Sequence, residues 1–205
     1  NDDCFGIHYV YLNTLLYYHS INVLAKKKLT LGLIMSHWSR SIPSFLLNII
    51  KRLMLPNLEA KDIEAIYNYY RVPNLFETSG QPSKEELKLI AKKGYEVVIN
   101  LAPNSMIEGS VINEAEILER VNVEYIHIPV DFFRPSAVSF EEFVSNLEKN
   151  KNKKIWVHCA ANMRVSAFVY KYRRDILKQS HTEIINDMEI IWTPNKTWKS
   201  FLDLD

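Results

Sequence analysis

A cysteine and an arginine stand close together in a segment that predicts a strand, a short loop and a helix. Residues 155–157 are apolar, as in a parallel strand that is buried on both faces. Cys159 follows this strand, and Arg164 lies where apolar residues begin to recur at helical spacing. Positive surroundings favour a thiolate near neutral pH, and a guanidinium can hold two oxygens of a phosphate. The pattern therefore indicates nucleophilic chemistry on an anionic substrate.

The loop between the strand and the helix is the predicted anion-binding segment. Backbone amides at a helix N-terminus have no partner within the helix, and anions bind there readily. Asn162 is the loop residue best suited to a left-handed conformation, which Asn tolerates better than most residues do. The predicted substrate-binding residues are the rest of this loop and the start of the helix: Ala160, Ala161, Asn162, Met163, Val165 and Ser166.

The run from His158-Cys159 to Arg164 and Ser166 resembles the signature loop of the cysteine-dependent protein tyrosine and dual-specificity phosphatases. In that family five residues separate the cysteine from the arginine. Here only four separate Cys159 from Arg164, and the usual loop glycine is absent. Residues 79–101 also resemble the N-terminal part of the bacterial branch called beta-lactamase hydrolase-like. The resemblance implies a phosphatase-like fold and hydrolysis of a phosphate monoester, with phosphotyrosine among the candidate substrates.

The same resemblance implies roles for three residues. Cys159 would attack phosphorus and form a phosphocysteine, and Arg164 would stabilise the charge on the phosphoryl oxygens. Asp131 follows a predicted strand upstream of the signature, where the resembling phosphatases carry the acid that protonates the leaving oxygen. The alternative interpretation is that Asp131 only begins a turn, as aspartate commonly does.

The short loop leaves two further functions open. A cysteine and an arginine separated by four residues are also similar to the active loop of rhodanese-type sulfurtransferases, whose smaller loop surrounds a persulfide sulfur. Sulfur transfer needs no acid comparable to Asp131, so that residue favours phosphate. The non-enzymatic alternative is a module that binds phosphate with little or no turnover.

Composition limits the other classes of function. The net charge of +1 gives no electrostatic case for nucleic acid as a partner. The chain has 2 cysteines, which lie far apart in sequence, so we do not expect a disulfide framework. We expect a reducing, cytoplasmic location instead. No Cys/His cluster has the spacing of a zinc site, and we expect neither metal nor cofactor. The expected partner is a phosphorylated protein or small molecule.

The chain is predicted to contain an N-terminal extension, residues 1–54, and a catalytic domain, residues 55–205. The extension is apolar on average but interrupted by polar residues, so it does not predict a spanning helix. An added helical layer is the favoured interpretation; a membrane-surface anchor is less favoured. The third interpretation is that translation begins at Met35 or Met54.

Strands that alternate with helices predict an α/β fold, with a parallel-type central sheet of about four to five strands and helices on both faces. Residues 57–70 are predicted to form an amphipathic helix. Ser83 and Glu86 predict a capping box at the start of the next helix, which Gly94 ends. His127 is interpreted as a hydrogen-bonded sheet residue, and Trp192 and Trp198 as cover for the core. Cys159 and Asp131 both follow strand ends, so they are expected at one rim of the sheet.

Overall fold

The computed structural model describes residues 62–104 and 113–204. These residues belong to the second of the two units into which the chain divides, Lys51–Asp205. The predicted extension, residues 1–54, lies outside the described residues, and its boundary stays a prediction. Within the described ranges, no helix has the length and apolar character needed to cross a membrane.

The described residues contain five strands: β1 (Tyr70–Arg71), β2 (Glu77–Ser79), β3 (Val97–Asn100), β4 (Glu124–His127) and β5 (Ile155–His158). They form one sheet in the order β1-β2-β5-β3-β4. The pairs β2–β5, β5–β3 and β3–β4 are parallel, and only the short β1 runs antiparallel to its neighbour. The mostly parallel sheet confirms the predicted fold class. It also places the carboxyl ends of the four parallel strands at one edge.

Six α-helices of the described part of the chain surround this sheet. They are α1 (Lys84–Lys92), α2 (Glu114–Glu119), α3 (Ala137–Lys149), α4 (Met163–Asp175), α5 (His181–Glu189) and α6 (Lys196–Phe201). One core contains Ile155 and Val157 of β5 together with buried residues of α3 to α6. The other core contains Trp156 together with buried residues of α1 and α2. Because successive side chains of a strand point to opposite faces, β5 contributes to both cores.

The predicted boundaries of α1 are confirmed. The backbone amide of Glu86 donates to Oγ of Ser83 at 3.2 Å, and the amide of Ser83 donates to Oε2 of Glu86 at 2.6 Å. Gly94 follows the helix with a φ of +83°, a left-handed conformation that glycine adopts without a Cβ clash. This turn directs the chain into β3, which ends beside the signature loop.

The predicted helix over residues 57–70 is wrong in its described part. Only a 3₁₀ turn forms, Ile63–Ala65, which Asp62 caps. Ile66 is already extended, and Asn68 is left-handed with a φ of 50°. The amphipathic pattern comes from Ile63 and Ile66, which are buried in the second core, and it does not mark a continuous helix in the described residues. Beyond Ile66, Asn68 contacts the signature loop: its Nδ2 donates to the carbonyl of Ala161 at 3.0 Å.

The C-terminal tail contains a helix that the sequence analysis did not predict. Asn195 begins α6, and its side chain accepts a hydrogen bond from the amide of Trp198 at 3.1 Å. Trp198 is fully buried in the first core, as expected for a residue that covers it.

Candidate active site

Cys159 is the first residue after β5 and lies at the carboxyl edge of the sheet. Its side chain is fully buried and belongs to the first core, and the cysteine is free. Its backbone amide donates to the carbonyl of Ser79 at 3.4 Å, which extends the contact between β5 and β2. The thiol therefore sits where the sheet ends and the loop before α4 begins.

Asn162 has the left-handed conformation that the sequence predicted, with a φ of 63°. It is the N-cap residue of α4, yet its side chain makes no capping hydrogen bond. Instead its Nδ2 donates to the carbonyl of Asn68 at 2.7 Å and to Oγ1 of Thr78 at 2.9 Å. The first helical bond of α4 runs from the amide of Ser166 to the carbonyl of Asn162. The earlier amides of this turn are thus left without a side-chain cap, which suits an anion.

Neighbouring backbone holds the loop from outside. The carbonyl of Ala161 accepts from Nδ2 of Asn68 at 3.0 Å, and the carbonyl of Ala160 accepts from the amide of Gln81 at 3.1 Å. Because the two polar groups of a trans peptide point in opposite directions, the amide of Ala161 points away from Gln81. Gly80 permits this close approach, since a Cβ there would lie 2.6 Å from Tyr67 and 3.0 Å from the carbonyl oxygen of Ala160.

Arg164 lies between the signature loop and the segment that follows β4, which contains Asp131, the predicted acid. It lies in the first turn of α4 and is 4% exposed. Its guanidinium carbon lies 5.3 Å from the centroid of the Phe132 ring. Phe132 is itself held by Trp198, whose Nε1 donates to the Phe132 carbonyl at 2.9 Å. The structure therefore brings Arg164 and the residue next to Asp131 together.

Asp131 has the hydrogen bonds of a turn residue. One of its oxygens accepts from the backbone amide of Phe133 at 2.8 Å, and the other accepts from Nε of Arg134 at 3.1 Å. The amide of Phe133, and then the guanidinium of Arg134, lower the pKa of Asp131. The side chain is 42% exposed. In this arrangement Asp131 is a carboxylate, so donation of a proton would require it to leave Arg134.

The remaining predicted site residues differ in which of their groups could contact a substrate. The side chain of Val165 is fully buried in the first core, which leaves its backbone amide as the group that could contact an anion. Oγ of Ser166 donates to the carbonyl of Met163 at 3.0 Å and accepts from Nε1 of Trp192 at 3.1 Å. Met163 is half-buried at the start of α4. These side chains mainly orient the helix start.

A buried polar group next to the cysteine was missed by sequence reasoning. Nε2 of His158 lies 2.7 Å from Oε1 of Glu114, and the two side chains are 0% and 4% exposed. Glu114 lies on α2, far from His158 in sequence, and no local pattern marks it. By contrast, His127 behaves as predicted, with its Nε2 2.7 Å from the carbonyl oxygen of Ala102.

Asn162 should be essential to the stability of the loop. We expect Asn162→Gly to lower the free energy of unfolding by about 1–3 kcal/mol, because it loses both side-chain hydrogen bonds. Asn162→Ala should lose about 1 kcal/mol more, because alanine disfavours the left-handed conformation. Urea unfolding measures both values. The matched controls are Asn122→Gly and Asn122→Ala, since exposed Asn122 has a similar φ of 56°. Equal losses at both positions would show that the Asn162 hydrogen bonds contribute nothing.

Similar folds occur among solved phosphatases. One is a DUF442 protein from Shewanella putrefaciens CN-32, which is 27% identical to this chain with a TM-score of 0.62. The alignment covers 69% of this chain and 92% of the Shewanella chain. TpbA from P. aeruginosa is 14% identical with a TM-score of 0.55, covering 71% and 88%. The core catalytic domain of the PP-IP phosphatase SIW14 from S. cerevisiae is 14% identical with a TM-score of 0.56, covering 68% and 86%. At 14% identity, the similarity to TpbA and to SIW14 shows a shared fold and nothing more.

The family comparison agrees with these structures. No curated protein matches the sequence. The sequence model of the family described as "DSP-PTPase phosphatase fused to NAD+ Kinase" matches residues 60–198, which include the whole signature loop and α4. The mostly parallel sheet, the loop after β5 and this match agree on one assignment: the chain belongs to this family of cysteine-based, dual-specificity phosphatase-like proteins.

Proposed function

We propose that this protein hydrolyses a phosphate monoester through a phosphocysteine on Cys159, with an aryl phosphate such as phosphotyrosine as the substrate class. The observation that carries the proposal is the geometry of the signature loop. Asn162 directs its side chain to Asn68 and Thr78, so the amides that begin α4 are not capped by it. Arg164 lies in the same turn, and Cys159 begins the loop.

The chemistry of such a site has two steps. The thiolate attacks phosphorus, the bond from phosphorus to the leaving oxygen breaks, and an acid gives that oxygen a proton. Water then attacks the phosphocysteine, which releases phosphate and restores the thiolate. Arg164 and the loop amides supply hydrogen bonds to the equatorial oxygens in both steps. A cysteine-to-serine form of TpbA was solved in complex with pTyr, which supports the choice of an aryl phosphate as the first substrate to test.

Asp131 is the proposed acid, and its substitution gives a distinctive result. Asp131→Asn should lower the turnover of substrates with poor leaving groups by roughly a hundredfold. The loss of rate should be smaller for substrates whose leaving groups need no proton. An acid acts when protonated, so turnover by the wild-type protein should fall as pH rises through the Asp131 pKa. The backbone amide of Phe133 and the guanidinium of Arg134 lower that pKa. The decline in turnover should therefore occur at a lower pH than the ordinary pKa of an aspartate would give. Rates for two aryl phosphates across pH test this expectation.

The control for this prediction is the exposed carboxylate Glu124, which pairs with Lys153 at the edge of the sheet. Glu124→Gln should leave both rates and their pH dependence unchanged. Equal losses for the two kinds of leaving group in Asp131→Asn would instead assign Asp131 to the turn that its hydrogen bonds describe.

The spacing of four residues between Cys159 and Arg164 favours one other function, sulfur transfer. The deciding experiment compares two activities of the pure protein: hydrolysis of an aryl phosphate, and transfer of sulfur from thiosulfate to cyanide. Turnover of the phosphate alone supports the proposal. Turnover of thiosulfate alone overturns it, and tight vanadate binding without either activity would indicate a phosphate-binding module.

A further inference from the structure

The side chain of Arg134 lies in the segment after β4, next to the proposed acid. Its Nε donates to Oδ2 of Asp131 at 3.1 Å, and its backbone amide donates to the carbonyl of the same residue at 3.2 Å. The side chain of Arg134 is 88% exposed, and that of Asp131 is 42% exposed. The guanidinium therefore lies at the protein surface while it contacts the acid.

The position of Asp131 limits how far Arg134 can lie from a bound substrate. Oδ1 of Asp131 accepts from the amide of Phe133, so Oδ2 is the oxygen available to carry the proton. An acid that gives a proton to the leaving oxygen comes within about 3 Å of it. Because Nε of Arg134 lies 3.1 Å from Oδ2, this nitrogen then lies at most about 6 Å from the leaving oxygen. Arg134 is thus placed on the leaving-group side of the ester.

The backbone of this segment is held by the first core. The carbonyl of Phe132 accepts from Nε1 of Trp198 at 2.9 Å, and the Phe132 ring lies 5.3 Å from the guanidinium carbon of Arg164. Beyond Phe132 the side chains reach solvent, and Phe133 is 79% exposed. A change of partner at Arg134 therefore requires movement of its side chain and leaves the backbone in place.

The contact between Arg134 and Asp131 is of a kind that another anion can replace. An ion pair between exposed groups contributes little to stability, because water screens the charges and holding both side chains costs entropy. The side-chain hydrogen bond runs from Nε to one carboxylate oxygen, whereas a guanidinium can offer two parallel donors to an anion. The contact also opposes proton donation, since it favours the ionised form of Asp131.

We propose that Arg134 is a specificity-determining residue of this site, which exchanges Asp131 for a second anionic group of the substrate on the leaving-group side of the scissile phosphate. The substrate class is then an aryl phosphate flanked by carboxylates, such as a phosphotyrosine within an acidic peptide. This inference rests on the proposed function, because it uses the role of Asp131 as the acid.

The experiment uses two phosphotyrosine peptides that differ only in having glutamate or glutamine on both sides of the phosphotyrosine. The phenol that leaves is the same, so a difference in rate reports the flanking charges. At pH 7 the wild-type protein should hydrolyse the glutamate peptide with a kcat/KM roughly fivefold higher, the factor that one exposed ion pair can supply. Arg134→Gln should make the two values equal.

The matched control is Arg120→Gln. Arg120 is also an exposed arginine that pairs with a nearby carboxylate, that of Glu116. It lies at the end of α2, before β4 begins, whereas Arg134 follows the end of β4. Arg120→Gln should leave the preference for the glutamate peptide unchanged. An equal loss of preference in Arg120→Gln and Arg134→Gln would assign the effect to the overall charge of the protein and overturn the proposal.

Peptide affinity measures the exchange without turnover. In Cys159→Ser the glutamate peptide should bind more tightly than the glutamine peptide, and adding Arg134→Gln should remove the difference. Adding Asp131→Asn to Cys159→Ser instead removes the competing carboxylate, so the preference for the glutamate peptide should increase. When Arg134→Gln is also present, Asp131→Asn should change the preference less, because the two side chains are coupled.

The outcomes separate this inference from the proposed function. Equal kcat/KM values for the two peptides in the wild-type protein, or a preference that survives Arg134→Gln, overturn the role of Arg134 alone. Binding that favours the glutamate peptide and depends on Arg134, without hydrolysis of either peptide, overturns the proposed function alone. If neither peptide is bound or hydrolysed, both are wrong.

Discussion

Cys159→Ser should reduce hydrolysis of an aryl phosphate by about 10⁴-fold or more, the scale seen when a catalytic nucleophile is removed. A serine hydroxyl stays protonated at neutral pH, so the attacking anion is lost. The fold should survive, although a hydroxyl in the first core costs about 1–3 kcal/mol if it finds no partner. Steady-state rates and thermal unfolding measure the two effects separately.

The chain supplies its own control for this substitution. Cys4 is the second of the 2 cysteines and lies outside the described residues. Cys4→Ser makes the same chemical change and should keep full activity. The proposed mechanism is wrong if Cys159→Ser retains a tenth or more of the wild-type rate, or if Cys4→Ser is the inactive variant.

Arg164→Lys should lower turnover by about 10²- to 10³-fold, the loss expected when a donor to the transition state is removed. A lysine ammonium keeps the charge but cannot make the planar, two-pronged contact with phosphoryl oxygens. It also stacks less well on Phe132, whose ring now lies 5.3 Å from the Arg164 guanidinium carbon. Vanadate affinity should fall together with the rate, and both are measured on the folded protein.

Arg173→Lys is the matched control, because Arg173 is buried on the same helix and bonds Gln179 and Asp187 away from the loop. It should lower thermal stability and leave turnover by the folded protein near that of wild type. Equal losses of turnover in the two variants would mean that Arg164 supports the fold and not the phosphate.

Local sequence determined several elements of the fold and the left-handed residue of the signature loop. The apolar run of β5, the capping box of Ser83 and Glu86, and the left-handed Asn162 all follow from preferences of a few adjacent residues. The same reasoning placed Cys159 and Arg164 on either side of one loop. It failed for the described part of the predicted helix, residues 62–70, where burial of Ile63 and Ile66 produced a helical spacing with only a 3₁₀ turn, Ile63–Ala65.

Tertiary structure alone decided which distant groups meet at that loop. Asn68 contacts Asn162 across 94 positions of the chain, and Arg164 lies beside Phe132. His158 meets Glu114 because the sheet aligns β5 with β3, while α2 packs over the end of both. Such contacts depend on strand order and helix packing, which no adjacent residues encode. The sequence by itself therefore determined the candidate nucleophile and its loop, and the folded chain determined which distant groups hold that loop in place.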